Sequence, residues 1–208
     1  REASKFRHWG TADGNPGPAG DGGFKAEPGR YHLFVSPSCP WAHRTIIMRK
    51  LKKLEEIVSI SIADRPKIEG WAYSQAIDDF EPCPDGIFRL HQVYQAADPE
   101  YTGKVTVPTL WDRKRRAIVS NESSEIIRMF NSAFSGWTDA SFDFYPEGLR
   151  DEIDKINDFV YEHLNNGVYR TGFAKTQAAY DEAVRKVFYG LDALDKLLAE
   201  RRYLAGEL

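Results

Sequence analysis

Cysteine is scarce in this chain. Only Cys39 and Cys83 occur in 208 residues, which excludes the disulfide framework of small secreted domains and points to a reducing compartment, cytoplasmic or organellar. An excess of charge is also lacking: 28 Lys and Arg stand against 31 Asp and Glu, for a formal net charge of −3. That balance offers no electrostatic case for nucleic acid or for an acidic membrane surface. No apolar run approaches the roughly 20 residues of a membrane-spanning helix, and no secretory signal is visible. His8, His32, His43, His91 and His163 are scattered along the chain, and no metal is implied.

What is abundant is apolar and aromatic surface. Hydrophobic residues make up 42% of the chain, among them 12 Phe, 10 Tyr and 5 Trp. This suffices for a substantial core and leaves aromatics for stacking on a ligand. Residues 10–30 hold seven glycines and three prolines, and Asp13-Gly14-Asn15-Pro16-Gly17-Pro18 is loop chemistry. Residues 1–30 therefore read as an extended N-terminal arm with no fold of its own, laid across its own domain or a neighbour. A first residue that is Arg rather than Met reads as processing or trimming.

Hydrophobic periodicity organises the rest. Tyr31 to Val35 reads as a buried strand, and Pro40 to Leu54 as a helix with Ile47, Leu51 and Leu54 on one face. Val58, Ile60 and Ile62 alternate with Ser59 and Ser61 as a half-buried strand, which completes a βαβ unit. Ala63 to Gly86 has little periodicity, and a loop that long is functional or disordered. Leu90 to Ala97 is a short helix with Leu90, Val93 and Tyr94 on its face. Val107–Trp111 and Ala117–Val119 form a hairpin turned by Arg113-Lys114-Arg115-Arg116, a basic quartet that reads as a solvated turn. Ser123 to Phe130 opens another helix. This order gives an α/β, thioredoxin-like domain over residues 31–135, with a mixed sheet. Beyond Phe134 strand signals stop. Gly148–Asn165 and Ala174–Arg202 read as two long helices, so residues 146–208 are the start of an all-α C-terminal domain. Its loop-like end, Tyr203 to Leu208, reads as an incomplete helical domain.

Cys39 is the chemically telling residue. It stands between the first strand and the first helix, with Pro40 at the first helical position and Trp41 next. A helix N-terminus presents unpaired N–H groups and the positive end of the dipole, a setting that favours thiolate over thiol. The fourth position of the motif is Ala42, so a mixed disulfide at Cys39 needs an external thiol to resolve it. Val107-Pro108 enters the hairpin, where a proline marks an edge or a cis peptide. Ser120-Asn121-Glu122-Ser123 combines a carboxylate, a hydroxyl and a helix start, which can hold both ends of a zwitterionic amino acid. Trp71 and Lys104 offer a flat ring and a cation. Each has a plainer reading: an inert core thiol, a strand start, an N-cap, packing and a solvated charge. His43, one turn beyond Cys39, is either a tuning residue or a surface histidine. Cys83, in Glu81-Pro82-Cys83-Pro84-Asp85, is poorly placed for catalysis.

The segments Ser38-Cys39-Pro40-Trp41-Ala42-His43-Arg44, Tyr101 through Asp112, Ser120 through Arg128, and Asn166-Gly167-Val168-Tyr169-Arg170-Thr171-Gly172-Phe173-Ala174 together resemble the glutathione transferase superfamily, and specifically its glutathionyl-hydroquinone reductase (xi) class. The likeness runs from about Phe6 to the last residue. It implies a thioredoxin-like domain followed by an all-α glutathione-transferase-type domain, glutathione as co-substrate, aromatic glutathione conjugates as substrates, and a homodimer. It implies that Trp71 stacks on glutathione, Val107 before Pro108 pairs with its cysteinyl backbone, and Glu122 and Ser123 hold its γ-glutamyl end. Lys104 stands where the pattern has an arginine for the glycyl carboxylate, and lysine keeps that charge without the bidentate fork. Tyr169 faces the aromatic half of the substrate by the same resemblance, and a further tyrosine of the later helical part is not in this chain. Thiol exchange through a Cys39–glutathione mixed disulfide follows. The alternatives are an omega-like thiol transferase or dehydroascorbate reductase, and a non-catalytic ligand carrier of the same build.

Overall fold

The computed structural model describes residues 4–63, 70–73, 86–138 and 141–207. They fall into two units, Arg1–Asp143 and Phe144–Leu208.

In the first unit, strands β1 (Gly10–Thr11), β2 (Phe24–Lys25), β3 (Tyr31–Val35) and β4 (Val58–Ile62) precede the hairpin of β5 (Thr109–Asp112) and β6 (Ala117–Ser120). The helices are α1 (Pro40–Leu51), α2 (Leu90–Ala97) and α3 (Ser123–Ser132). The main sheet runs β4-β3-β5-β6, with β3 parallel to β4 and antiparallel to β5, and β5 antiparallel to β6. As the inner strand with a neighbour on each side, β3 is buried at all five residues, which is why it reads as an uninterrupted apolar run.

Its one polar residue, His32, explains the alternation in β4. The ring's Nδ1 lies 2.7 Å from Ser59 Oγ and its Nε2 2.9 Å from Ser61 Oγ. The two serines are thus partners of a fully buried imidazole, where the sequence reading had a half-buried strand. Burial, aided by Arg113 and Arg49, holds the His32 pKa down to about 3, so the ring is neutral in the fold.

Three further expectations are corrected. The arm does carry structure: β1 and β2 pair in parallel, Arg7 bridges to Ser120 beside β6, and Phe6 and Phe24 are buried. The chain folds back tightly enough that a Cβ on Gly23 would lie 2.2 Å from the Gly14 carbonyl oxygen, so only glycine fits there. Helix α1 ends at Leu51, because Lys53 takes a left-handed φ of 53°. Ile47 and Leu51 are exposed, while Trp41, Ala42, Thr45 and Leu54 face inward. Lys52 is buried too, its ammonium donating to the Phe142 carbonyl. Finally, β5 begins two residues later than expected, since Val107 and Pro108 are joined by a cis peptide outside the ladder.

The basic hairpin turn is organised by a buried carboxylate. Asp112 is inaccessible, accepts the Lys114 and Arg115 amides at 2.9 and 3.2 Å, and is gripped by the Arg30 guanidinium, whose Nε lies 3.0 Å from both oxygens. Arg115 lies over the Phe24 ring and Lys114 reaches Glu27. The quartet is an exposed turn, as expected of four charges, with Lys114 and Arg115 held by Glu27 and Phe24.

The second unit is helical: α4 (Arg150–Val160), a π-turn at Tyr161–Asn165, α5 (Asn166–Gly172) and α6 (Gln177–Glu200). The segment expected as a single helix to Asn165 is thus interrupted by the wide turn and then continues to Gly172. Gly190 on α6 allows the close approach there, since a Cβ would sit 2.7 Å from His163 Cβ. Phe173, Phe188 and Tyr189 are exposed. Among the described residues, no helix is long and apolar enough to cross a membrane, and no group of three or more His, Cys, Asp or Glu could hold a metal ion.

His32 sets a test of the interior. An unfolded histidine titrates near 6.5 and the folded one near 3, so below pH 6.5 the unfolded chain binds the extra proton. Stability is fully present above that pH and declines as pH falls toward 3. Urea unfolding at pH 7 and pH 5 should differ by roughly 2 kcal/mol from this group, and His32→Gln should remove that part of the slope.

Candidate functional site

Cys39 is the N-cap of α1, in extended backbone at φ −96° and ψ 114°. Its carbonyl accepts the His43 amide at 2.9 Å, which starts the helix, and its own amide donates to Ser36. Pro40, at the first helical position, supplies no N–H. The side chain is half-buried, and its Sγ lies 3.6 Å from the Val107 carbonyl oxygen, 68 residues away in the chain. The sulfur and the residue before the cis proline are therefore brought face to face. Pro40 and His43 are exposed, Trp41 and Ala42 buried.

The Val107-Pro108 segment is held from beneath by α2. The Tyr94 hydroxyl donates to the Thr106 carbonyl at 3.0 Å, lies 3.2 Å from Thr109 Oγ1, and accepts the Thr106 amide at 3.3 Å. Asn121 Nδ2 donates to the same hydroxyl at 3.0 Å. On its other side, Asn121 Oδ1 accepts the Phe6 amide. Both Tyr94 and Asn121 are buried, so this polar knot links arm, α2, the cis-proline segment and the start of α3 in one network.

Glu122 caps α3, accepting the Ser124 amide at 3.3 Å. Its other oxygen accepts the Ser4 hydroxyl at 3.2 Å, so the N-terminal arm reaches the edge of the site. Ser123 is buried, and its Oγ accepts two bonds from Arg44: Nε at 3.1 Å and the terminal nitrogen at 2.7 Å. The same guanidinium lies 3.9 Å from Glu122 Oε1 and over the Trp41 ring. Arg44 comes from α1, five residues beyond Cys39. The motif contained it, but its spacing alone gave no signal, because what it meets sits 79 residues downstream.

Trp71 is half-buried and packs on the core; its carbonyl accepts the Leu90 amide at the start of α2. Lys104 is exposed, and its carbonyl accepts the Tyr101 hydroxyl at 2.7 Å. Tyr169 belongs to α5 of the second unit, half-buried, with its ring stacked on Phe173 at 6.2 Å. Cys83 and most of the long segment between Ala63 and Gly86 lie outside the described residues.

Chemically, the first unit assembles a thiol at a helix start, a backbone carbonyl and amide segment beside it, and a carboxylate–hydroxyl–guanidinium group at a second helix start. That set suits an extended, peptide-like thiol bearing an amino-acid zwitterion. Cutting the knot tests its structural part. Asn121→Ala leaves the buried Phe6 amide and Tyr94 hydroxyl short of a partner, and should cost roughly 1–3 kcal/mol in urea unfolding.

Comparison with known proteins identifies the family of the fold that carries this site. The family model for the glutathione S-transferase N-terminal domain matches residues 38–133. The glutathionyl-hydroquinone reductase YqjG of Escherichia coli is 53% identical over 212 residues, covering 99% of this chain and 63% of its own length. Its glutathione-bound structure superposes with a TM-score of 0.90 at 52% identity, over 97% of this chain and 66% of that one. The glutathione S-transferase Xi of Phanerochaete chrysosporium superposes equally well, with a TM-score of 0.90 at 43% identity, over all of this chain and 70% of the fungal one. This chain thus spans less than two thirds of the curated E. coli relative. On these identities and superpositions, the chain belongs to the xi class of the glutathione transferases.

Proposed function

We propose that the protein is a glutathione-dependent reductase that removes glutathione from glutathionyl-hydroquinones. The observation that carries this reading is the meeting of Cys39 Sγ with the Val107 carbonyl at 3.6 Å, at a site whose motif has Ala42 where a resolving cysteine would stand. The 53% identity to a protein named for that activity supports the choice of substrate.

Glutathione would lie extended from the sulfur. Its cysteinyl backbone would pair with Val107 beside Pro108, its γ-glutamyl ammonium would meet Glu122, and the neighbouring carboxylate would meet Ser123. Trp71 would stack on it, and Lys104 would face the glycyl carboxylate. The start of α1, at Pro40 and Trp41, would present the Cys39 sulfur to the conjugate. In the first step the Cys39 thiolate attacks the sulfur of the conjugate. A Cys39–glutathione disulfide forms as the aryl carbon–sulfur bond breaks, and the electron pair left on the aromatic carbon takes up a proton, giving the hydroquinone. Tyr169 is the proposed donor of that proton. A second glutathione, as thiolate, then attacks the mixed disulfide, releasing oxidised glutathione and restoring Cys39. This cycle requires a reducing compartment such as the cytoplasm, and family likeness supports a homodimer.

Single-turnover mixing with glutathionyl-menadiol, followed by intact mass and detection of the free quinol, tests the proposal. The expected result is hydroquinone release with a glutathione adduct on Cys39, and neither with Cys39→Ser. Tyr169→Phe should slow release about 100-fold or more. An adduct formed from oxidised glutathione without any release from the conjugate would instead identify a thiol transferase. No adduct from either would leave a ligand carrier.

A further inference from the structure

Ser123 and Arg44 together carry a more specific conclusion, which rests on the glutathione reading above. A serine hydroxyl has one hydrogen to donate and two lone pairs with which to accept. In this structure both acceptor positions face the Arg44 guanidinium, at 3.1 and 2.7 Å. Among the described residues the Ser123 hydroxyl makes no other bond, and the side chain is buried. With its acceptors taken, the hydroxyl can only donate. Arg44 is itself fixed from two sides, lying 5.1 Å over the Trp41 ring and 3.9 Å from Glu122 Oε1.

We infer that Arg44 is the positioning residue that makes the Glu122–Ser123 subsite select an α-amino acid with a free carboxylate. It turns the Ser123 hydroxyl into an obligate donor and places positive charge behind it. A carboxylate accepts such a bond; an amide at the same position brings an N–H that finds no acceptor, and gains nothing from the charge. Glu122, one residue earlier, supplies the complementary anion for the ammonium. Because α1 carries both Cys39 and Arg44, the arginine also ties the helix that presents the thiol to the helix start that holds the other end of the ligand.

The test compares binding of glutathione with that of its analogue amidated at the γ-glutamyl α-carboxylate, by calorimetry. A Cys39→Ser background prevents mixed disulfides. Losing a charge-assisted bond corresponds to roughly a 10- to 100-fold preference for the free carboxylate, which is expected of the parent protein. Arg44→Met and Ser123→Ala should each collapse that preference to a few-fold. Arg44→Lys, which keeps a cation but not the fork, should fall between and serves if Arg44→Met fails to fold. Equal weakening of both ligands by the arginine variants, with the preference intact, would make Arg44 merely structural and overturn the inference. A parent protein that binds glutathione without any preference would overturn it as well. A parent protein that binds neither ligand would overturn the glutathione reading itself.

Discussion

The hydrogen bond between the Asn121 amide and the Tyr94 hydroxyl, 3.0 Å long and sealed from solvent, is the contact on which the site depends. Neither residue touches the Cys39 sulfur. Tyr94 fixes the backbone of Thr106 and thereby the approach to Val107, which faces Cys39. Asn121, the residue before the Glu122 cap, pins the arm through Phe6. A buried polar pair of this kind is costly if left incomplete, so its completion specifies one arrangement of four chain segments that no apolar contact would define as sharply.

The same logic recurs elsewhere in the first unit. His32 sits in the middle of the sheet with a serine on each nitrogen, and Asp112 anchors the basic turn with Arg30 and two backbone amides. In each case a polar side chain in the interior meets partners from distant segments, and the apolar core closes around it. The sheet order is the outcome of apolar patterning; the placement of the loops around the candidate site is the outcome of these polar anchors.

That division explains what could be read from the sequence. Periodicity located the strands of the main sheet and the starts of α1, α2 and α3, because burial on one face leaves a regular trace. The cysteine before a proline and the Glu-Ser pair were legible as local motifs. The role of Arg44 was not, since a cation on a helix reads as a solvated charge until its partner 79 residues away is known. The alternating serines of β4 misled for the same reason: alternation signals a polar face, but here that face meets a buried imidazole. Spacing puts Ile47, Leu51 and Leu54 on one face, but of the three only Leu54, just beyond the left-handed Lys53, enters the core. The arm looked unstructured because glycine-rich sequence carries no periodicity, even where tight turns demand it.

The bond from Ser4 to Glu122 also matters at the bench. Whatever is joined upstream of Ser4 begins a few residues from the carboxylate proposed to hold the ligand's ammonium. An affinity tag, a fluorophore or a surface linker placed there would compete with the arm's own seat beside α3.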